Sequence, residues 1–395
     1  MLNKMNTFSL NKMKRNIVFF YLINFLKACI FTTPIWAFFF TSYLTFSFQT
    51  ALNIILLSGA ISFLFEIPSW AWADKFGRKK MYFLGIFFII LSFSFWIFSS
   101  NIYLFIISAI FSWVWYAITS WNLEALIHDY LEEKWEWEKF KDIQANAYIL
   151  LFLWRTFSSL IAWYIFIINP LSPVYLTIIA YLIVLLSLFF IIDKWQEIEK
   201  KESTKKHIIT GLKFILKDKF IFYFVIIISL ISSIWNIYWF TYQPYFKNIW
   251  ISIENIGILF AITWIFSAIW AQIIKKLQNI FSEIKIVYIT IFLLLLSSIF
   301  IQLFNIYWAI LWLIIISIMF GFIMSFWNNV LIKKSPKKYK STILSIFSFT
   351  ITIWYITFSL ISWYLIDLIW LEKLYIWNII LIILVILFTL LKLRK

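Results

Sequence analysis

The chain has 395 residues, 64% hydrophobic and 13% charged, against about 45–50% apolar and about 25% charged in a water-soluble domain. That much apolar surface has no place in a water-facing fold, and lipid is the solvent it implies. Net charge is +16, with one cysteine and two histidines; this excludes a disulfide framework and a Cys/His metal site, and the basic excess sits where it orients membrane spans, not where it would grip nucleic acid.

In hydrocarbon every backbone polar group needs an internal partner, which leaves helices or a closed barrel. The apolar runs are about 20 residues long and do not alternate, so they read as helices. The first segment, 1–16, is polar and basic, and the stretch after it reads as a retained span, not a cleaved signal. Twelve spans follow in chain order: 17–41, 49–72, 81–99, 102–127, 144–168 and 173–192, then 220–246, 251–274, 286–304, 307–331, 341–367 and 374–391.

Charge orients them. Of 34 Lys and Arg, only Lys27 and Arg155 fall within spans, and only Lys247 and Lys373 fall in loops after odd-numbered spans. The rest occupy the amino terminus, the loops after even-numbered spans and the carboxyl tail, which are therefore cytoplasmic. Both termini are expected inside, in a multi-pass protein of the cell membrane. The long polar stretch 193–219 reads as a cytoplasmic linker with an amphipathic surface helix. It separates an N-terminal six-helix bundle (1–192) from a C-terminal one (220–395).

The two halves repeat. Residues 154–165 read WRTFSSLIAWYI and 354–365 read WYITFSLISWYL. At an offset of 200, Trp154, Ser159, Leu160, Ile161, Trp163 and Tyr164 recur. The same offset aligns Trp70, Ala71 and Lys75 with Trp270, Ala271 and Lys275, and an offset of 206 aligns WYAITSWN (115–122) with GFIMSFWN (321–328). A parallel six-plus-six repeat is the build of transporters with a midplane site. The expected fold is all-α, with twelve transmembrane helices in two pseudo-repeated bundles.

The loop between the second and third spans reads EIPSWAWADKFGRKK, residues 66–80. It resembles the signature of the major facilitator superfamily, Gly-x-x-x-Asp-Arg/Lys-x-Gly-Arg-Arg/Lys. Asp74, Lys75, Gly77, Arg78 and Lys79 match in register, with Trp70 in the first glycine's place. The run SWNLEALIHDYL (120–131) is similar to a subgroup of the same family. Gly77 suits a tight turn with positive φ. Asp74 can accept amide hydrogen bonds at a positive helix end. Arg78 is expected to pair with a carboxylate at the end of the fourth span, Asp129 first and Glu124 second. The resemblance implies that this loop serves conformational switching, and that spans one, four, seven and ten line a central cavity. The arginine that proton-driven drug exporters of the family carry in the fourth span would fall near Ala109 and is absent here.

Ionisable groups inside a membrane are costly and need a partner or a watery cavity. Glu66 and Glu124 are candidates for proton coupling or for a bond between helices. Arg155 is the candidate for holding an anionic substrate, because a guanidinium grips carboxylate or phosphate in a fork. Lys27 either snorkels or faces the solute path. Gln243, beside Pro244, either donates in a cavity or marks a kink.

One compositional anomaly stands apart. There are six Gly and 24 Trp, where about 7% glycine would mean roughly 28 glycines. Trp70 stands at a family glycine, and Trp115 aligns with Gly321. Trp121, Trp163, Trp250, Trp363 and Trp370 occupy places where glycine would suit. Trp135 and Trp137 lie in the charged run EEKWEWEKFK. The pattern is that of UGA codons written as Trp but read as Gly. An interfacial aromatic belt is the rival reading and accounts for Trp96 and Trp308.

The expected function is secondary transport of a small solute by alternating access, driven by a proton or sodium gradient, with export as the first direction. Membrane lipid, the solute and the coupling ion are the expected partners of a monomer. No cofactor, metal or nucleic acid is expected, and no polar catalytic cluster marks an enzyme. The alternative is a non-transporting receptor or scaffold on the same fold.

Overall fold

The computed structural model describes residues 2–98, 101–119, 123, 126–127, 130–131, 139–191, 204–303, 305–322, 326–336 and 340–392. Every regular element among them is helical. Seven stretches of these residues are long and apolar enough to cross a bilayer, and four shorter apolar helices accompany them. The chain divides into two compact units, Met1–Lys200 and Lys201–Lys395.

Unit 1 contains α1 (Leu2–Lys27), α2 (Phe48–Phe76), α3 (Arg78–Ile97), α4 (Ile102–Thr119), α5 (Phe140–Ile168) and α6 (Ser172–Leu188). From α2 on, each begins within about a turn of the expected span. The first expected span, 17–41, is not one helix. α1 stops at Lys27, and the chain continues through a 3-10 turn (Thr33–Ile35), one α turn (Trp36–Phe38) and a π turn (Phe39–Tyr43). Pro34 has no N–H to donate, and its ring crowds Thr33. α6 repairs the break. The Phe31 amide donates to Thr177 Oγ1 at 3.1 Å, and the Tyr181 hydroxyl donates to the Lys27 carbonyl at 3.2 Å. Buried backbone at membrane depth persists only when such bonds satisfy it.

Unit 2 contains α7 (Thr204–Lys217), α8 (Lys219–Asn248), α9 (Ile253–Ile280), α10 (Glu283–Ile301), α11 (Ile306–Phe322), α12 (Asn328–Lys334) and α13 (Lys340–Lys392). Asp218 caps α8 by accepting from the Ile221 amide at 3.1 Å, which satisfies one of the helix's free donors. α13 is helical over 53 residues, yet it is not a straight rod. Ser233 Oγ donates to the Ile351 carbonyl, and Tyr355 packs at a tilt against Phe240, 5.8 Å between centroids. Farther along, the Tyr375 hydroxyl donates to Thr241 Oγ1 at 3.3 Å, and Phe388 meets Tyr223 at 6.0 Å. A straight helix would hold Tyr355 and Tyr375 about 30 Å apart, but both reach the same turn of α8. The chain therefore doubles back between them. Two abutting helices run in opposite directions along α8, in the stretches expected as 341–367 and 374–391.

The units share an internal plan. In unit 1, α1 packs on α5 and α6, α4 packs on α2 and α3, and α3 packs on α6. In unit 2, α8 packs on both arms of α13, α11 packs on α9 and α10, and α10 packs on α13. One hydrogen bond repeats as well. Ser69 Oγ donates to the Ala117 carbonyl at 3.0 Å between α2 and α4. Ser267 Oγ donates to the Ser317 carbonyl at 3.2 Å between α9 and α11. Small hydroxyl residues at helix crossings allow close approach and bond across it.

Candidate functional site

The loop between α2 and α3 is built on Gly77. Its φ of 94° separates α2 from α3, a conformation that strains any residue with a β-carbon. The turn places Arg78 at the first position of α3 and Lys79 beside it, both half-buried. Lys79 Nζ donates to the Ile191 carbonyl at 2.6 Å. Ile191 lies just past the end of α6, so the ammonium sits at a helix's negative end, where free carbonyls collect. The loop thereby ties α3 to α6 within unit 1. The side chains of Glu66, Trp70, Asp74 and Lys75 lie outside the described ones, and Glu124 and Asp129 lie outside the described residues.

The expected Arg78–Asp129 pairing has a counterpart in unit 2. Lys334 Nζ pairs with Glu283 Oε2 at 3.1 Å, joining the end of α12 to the start of α10. Glu283 opens α10 as Arg78 opens α3, and at the offset of 206 Lys334 matches position 128, next to Asp129. The polarity is reversed, and the Lys334 ammonium also sits over the Phe220 ring, 4.3 Å from its centroid. Both partners are partly exposed, so the pair contributes about 0–1 kcal/mol.

Arg155 stands mid-way along α5, half-buried. Its guanidinium lies within electrostatic range of the Tyr181 and Tyr116 phenols. Tyr181 is the residue that bonds the broken end of α1, so one side chain of α6 both holds the break and lies in the field of the cation. Trp115 packs edge-on to Tyr181, 5.8 Å between centroids. The cluster offers a fixed cation and phenol hydroxyls at membrane depth, which is the chemistry that binds an anion. Lys27 closes α1 as its last residue, where a cation complements the helix dipole.

Gln243 is fully buried in unit 2 and donates to the Tyr242 hydroxyl at 2.6 Å. Pro244 follows it inside α8, so the amide sits where one intrahelical bond is missing. The sequence reading missed the polar cluster nearby. Tyr238 bonds Ser298, Tyr375 bonds Thr241, and Asn378 lies beside Tyr238. The repeat offers a faint signal for it, since Ser298 matches Ser92 at the offset of 206. In unit 1, Ser92 bonds Ser108, and Trp96 Nε1 donates to Ser108 Oγ at 2.9 Å. Among the described residues no group of three or more His, Cys, Asp or Glu is placed to hold a metal.

The model of the Major Facilitator Superfamily matches residues 17–359. No curated protein matches the chain in sequence. Its fold is similar to a variant of nucleoside transporter NupG, with a TM-score of 0.79 at 11% identity over 95% of this chain and 99% of that one. It is also similar to a POT family transporter in complex with 5-aminolevulinic acid, with a TM-score of 0.75 at 15% identity over 97% and 95%. The POT family transporter PepTSo gives a TM-score of 0.74 at 11% identity over 96% and 97%.

Proposed function

Because the chain belongs to the major facilitator superfamily, we propose that it is a twelve-span secondary transporter that moves a small anionic solute by alternating access. A proton or sodium gradient drives it, and export is the direction to test first. The supporting observation is the breadth of the family match, which spans most of both units. We assign residues 1–192 and 220–395 to the two six-helix bundles and 193–219 to a cytoplasmic linker. The boundary between the compact units falls inside that linker. The termini lie in the cytoplasm, on the side of the basic loops.

Arg155 is the residue assigned to the solute. It holds the carboxylate or phosphate group while Tyr116 and Tyr181 supply hydroxyls. One structural neighbour was solved with 5-aminolevulinic acid, a small carboxylic acid, which makes that compound a sensible first probe. Gly77, Arg78 and Lys79, together with Trp70, Asp74, Lys75 and Asp129, form the switch loop and its latch. Glu66 and Glu124 are assigned to ion coupling, and Lys27 and Gln243 to holding their helices beside the path. The test is uptake of radiolabelled small acids into reconstituted vesicles under imposed pH or sodium gradients. Gradient-dependent uptake that Arg155→Ala removes and Arg155→Lys partly restores supports the assignment. Uptake unchanged by Arg155→Ala refutes it.

A further inference from the structure

The αL turn after α8 is built for glycine. α8 ends at Asn248, and Trp250 follows with φ 62°. The Trp250 amide donates to the Lys247 carbonyl at 3.2 Å, and the Ile251 amide donates to the Phe246 carbonyl at 3.1 Å. This pair of bonds closes a helix end whose left-handed residue is usually glycine, because a β-carbon crowds that conformation. The matching turn in unit 1 also takes a left-handed residue, Thr45 with φ 60°. The turn is thus a property of the repeated fold, independent of the indole. Trp250 is 95% exposed, so its ring makes almost no contact with the rest of unit 2 that would offset the strain.

A second, independent observation concerns Trp163 and Trp363, which the offset of 200 aligns. Each is essentially fully buried, and each indole Nε1 has no acceptor among the described residues. Buried indole N–H groups ordinarily find a partner. Trp96 does donate to Ser108 Oγ and Trp235 to the Ile316 carbonyl, whereas Trp312 and Trp327, equally buried, share the orphaned state among the described residues. Trp163 lies on α5 against Phe38 of the broken first span, 5.2 Å between centroids, where a small residue would let the helices close up. An interfacial belt explains neither a left-handed backbone nor an orphaned indole inside a bundle.

We propose that positions 163, 250 and 363 are glycine in the protein its own cell makes, the codon UGA being read there as glycine. Trp96 and Trp235, whose N–H groups are bonded, are true tryptophans encoded by UGG. This reading stands apart from the transport assignment, since it concerns the identity of three residues and not what the chain carries. If Trp115 follows the same rule, as its alignment with Gly321 implies, the face of Tyr181 beside Arg155 gains the space of an indole.

Two measurements test it. The first is tandem mass spectrometry of the protein from native membranes, reading the peptides that carry positions 163, 250 and 363, beside the codons of the gene. Glycine at all three with UGA codons, and tryptophan at 96 and 235, is the expected result. Tryptophan or a UGG codon at 163, 250 or 363 overturns the proposal. The second is thermal unfolding of the chain as written, produced in a host that reads UGG as tryptophan, against its Trp250→Gly variant. The variant is expected to melt at a higher temperature, and an equal or lower melting temperature contradicts the argument from the turn.

Discussion

At the scale of single residues, Gly77 is the position where the backbone dictates the side chain. A β-carbon at φ 94° is strained whatever space surrounds it. Gly77→Ala is therefore expected to destabilise unit 1 by about 1–2 kcal/mol, read as a lower melting temperature in detergent. It should also slow transport through the loop it shapes. Arg155 shows how far sequence reading reaches at this scale. An arginine inside an apolar run is visible on inspection, because its insertion cost demands a reason. Its neighbours are not visible. Tyr181 lies on the next helix, and only packing brings the two together. Arg155→Ala is expected to lower solute affinity by about tenfold or more, the loss of a charge-assisted hydrogen bond, measured as the half-saturation of uptake.

At the scale of elements, the instructive case is the first span. Its apolar pattern runs unbroken from 17 to 41, and a window of hydropathy sees one helix. Pro34 is in plain view in the sequence, but a proline alone says neither where the helix ends nor what replaces the lost bonds. The answer comes from α6, through Thr177 and Tyr181. Thr177→Val keeps the shape and removes the acceptor for the Phe31 amide. It is expected to cost about 1–3 kcal/mol, the price of an unsatisfied buried donor, measured by thermal unfolding. Amide exchange at 28–33 should accelerate more than exchange elsewhere in unit 1. Lys79→Ala should likewise free the end of α6, with faster exchange at 188–191 and little change in α4. The last two spans were legible as separate apolar runs, and their reversal is written in the contacts of α13 with α8. The Gly77 turn was legible because a glycine sits at fixed spacing among charged residues between two spans. Its expected partners, Asp129 and Glu124, lie outside the described residues.

At the scale of the whole molecule, two related units with the same helix-packing order carry the account. The repeat seen in scattered identities reappears as matched bonds, Ser69 to Ala117 and Ser267 to Ser317. Unit 2 also holds an ion pair, Glu283 with Lys334, at the start of α10 and the end of α12. Exchanging that pair to Glu283→Lys with Lys334→Glu should preserve transport, while Glu283→Lys alone should impair it. The proposed orientation puts both termini in the cytoplasm, so a tag at either end should be protected from protease in intact cells and cleaved once the membrane is opened. The most direct test of the central claim is solute flux in vesicles containing only this protein. Uptake of a small acid that rises with an imposed proton or sodium gradient, saturates, and falls with Arg155→Ala is the predicted result. No gradient-dependent flux across a broad panel of small solutes, from protein shown to be folded, would contradict it.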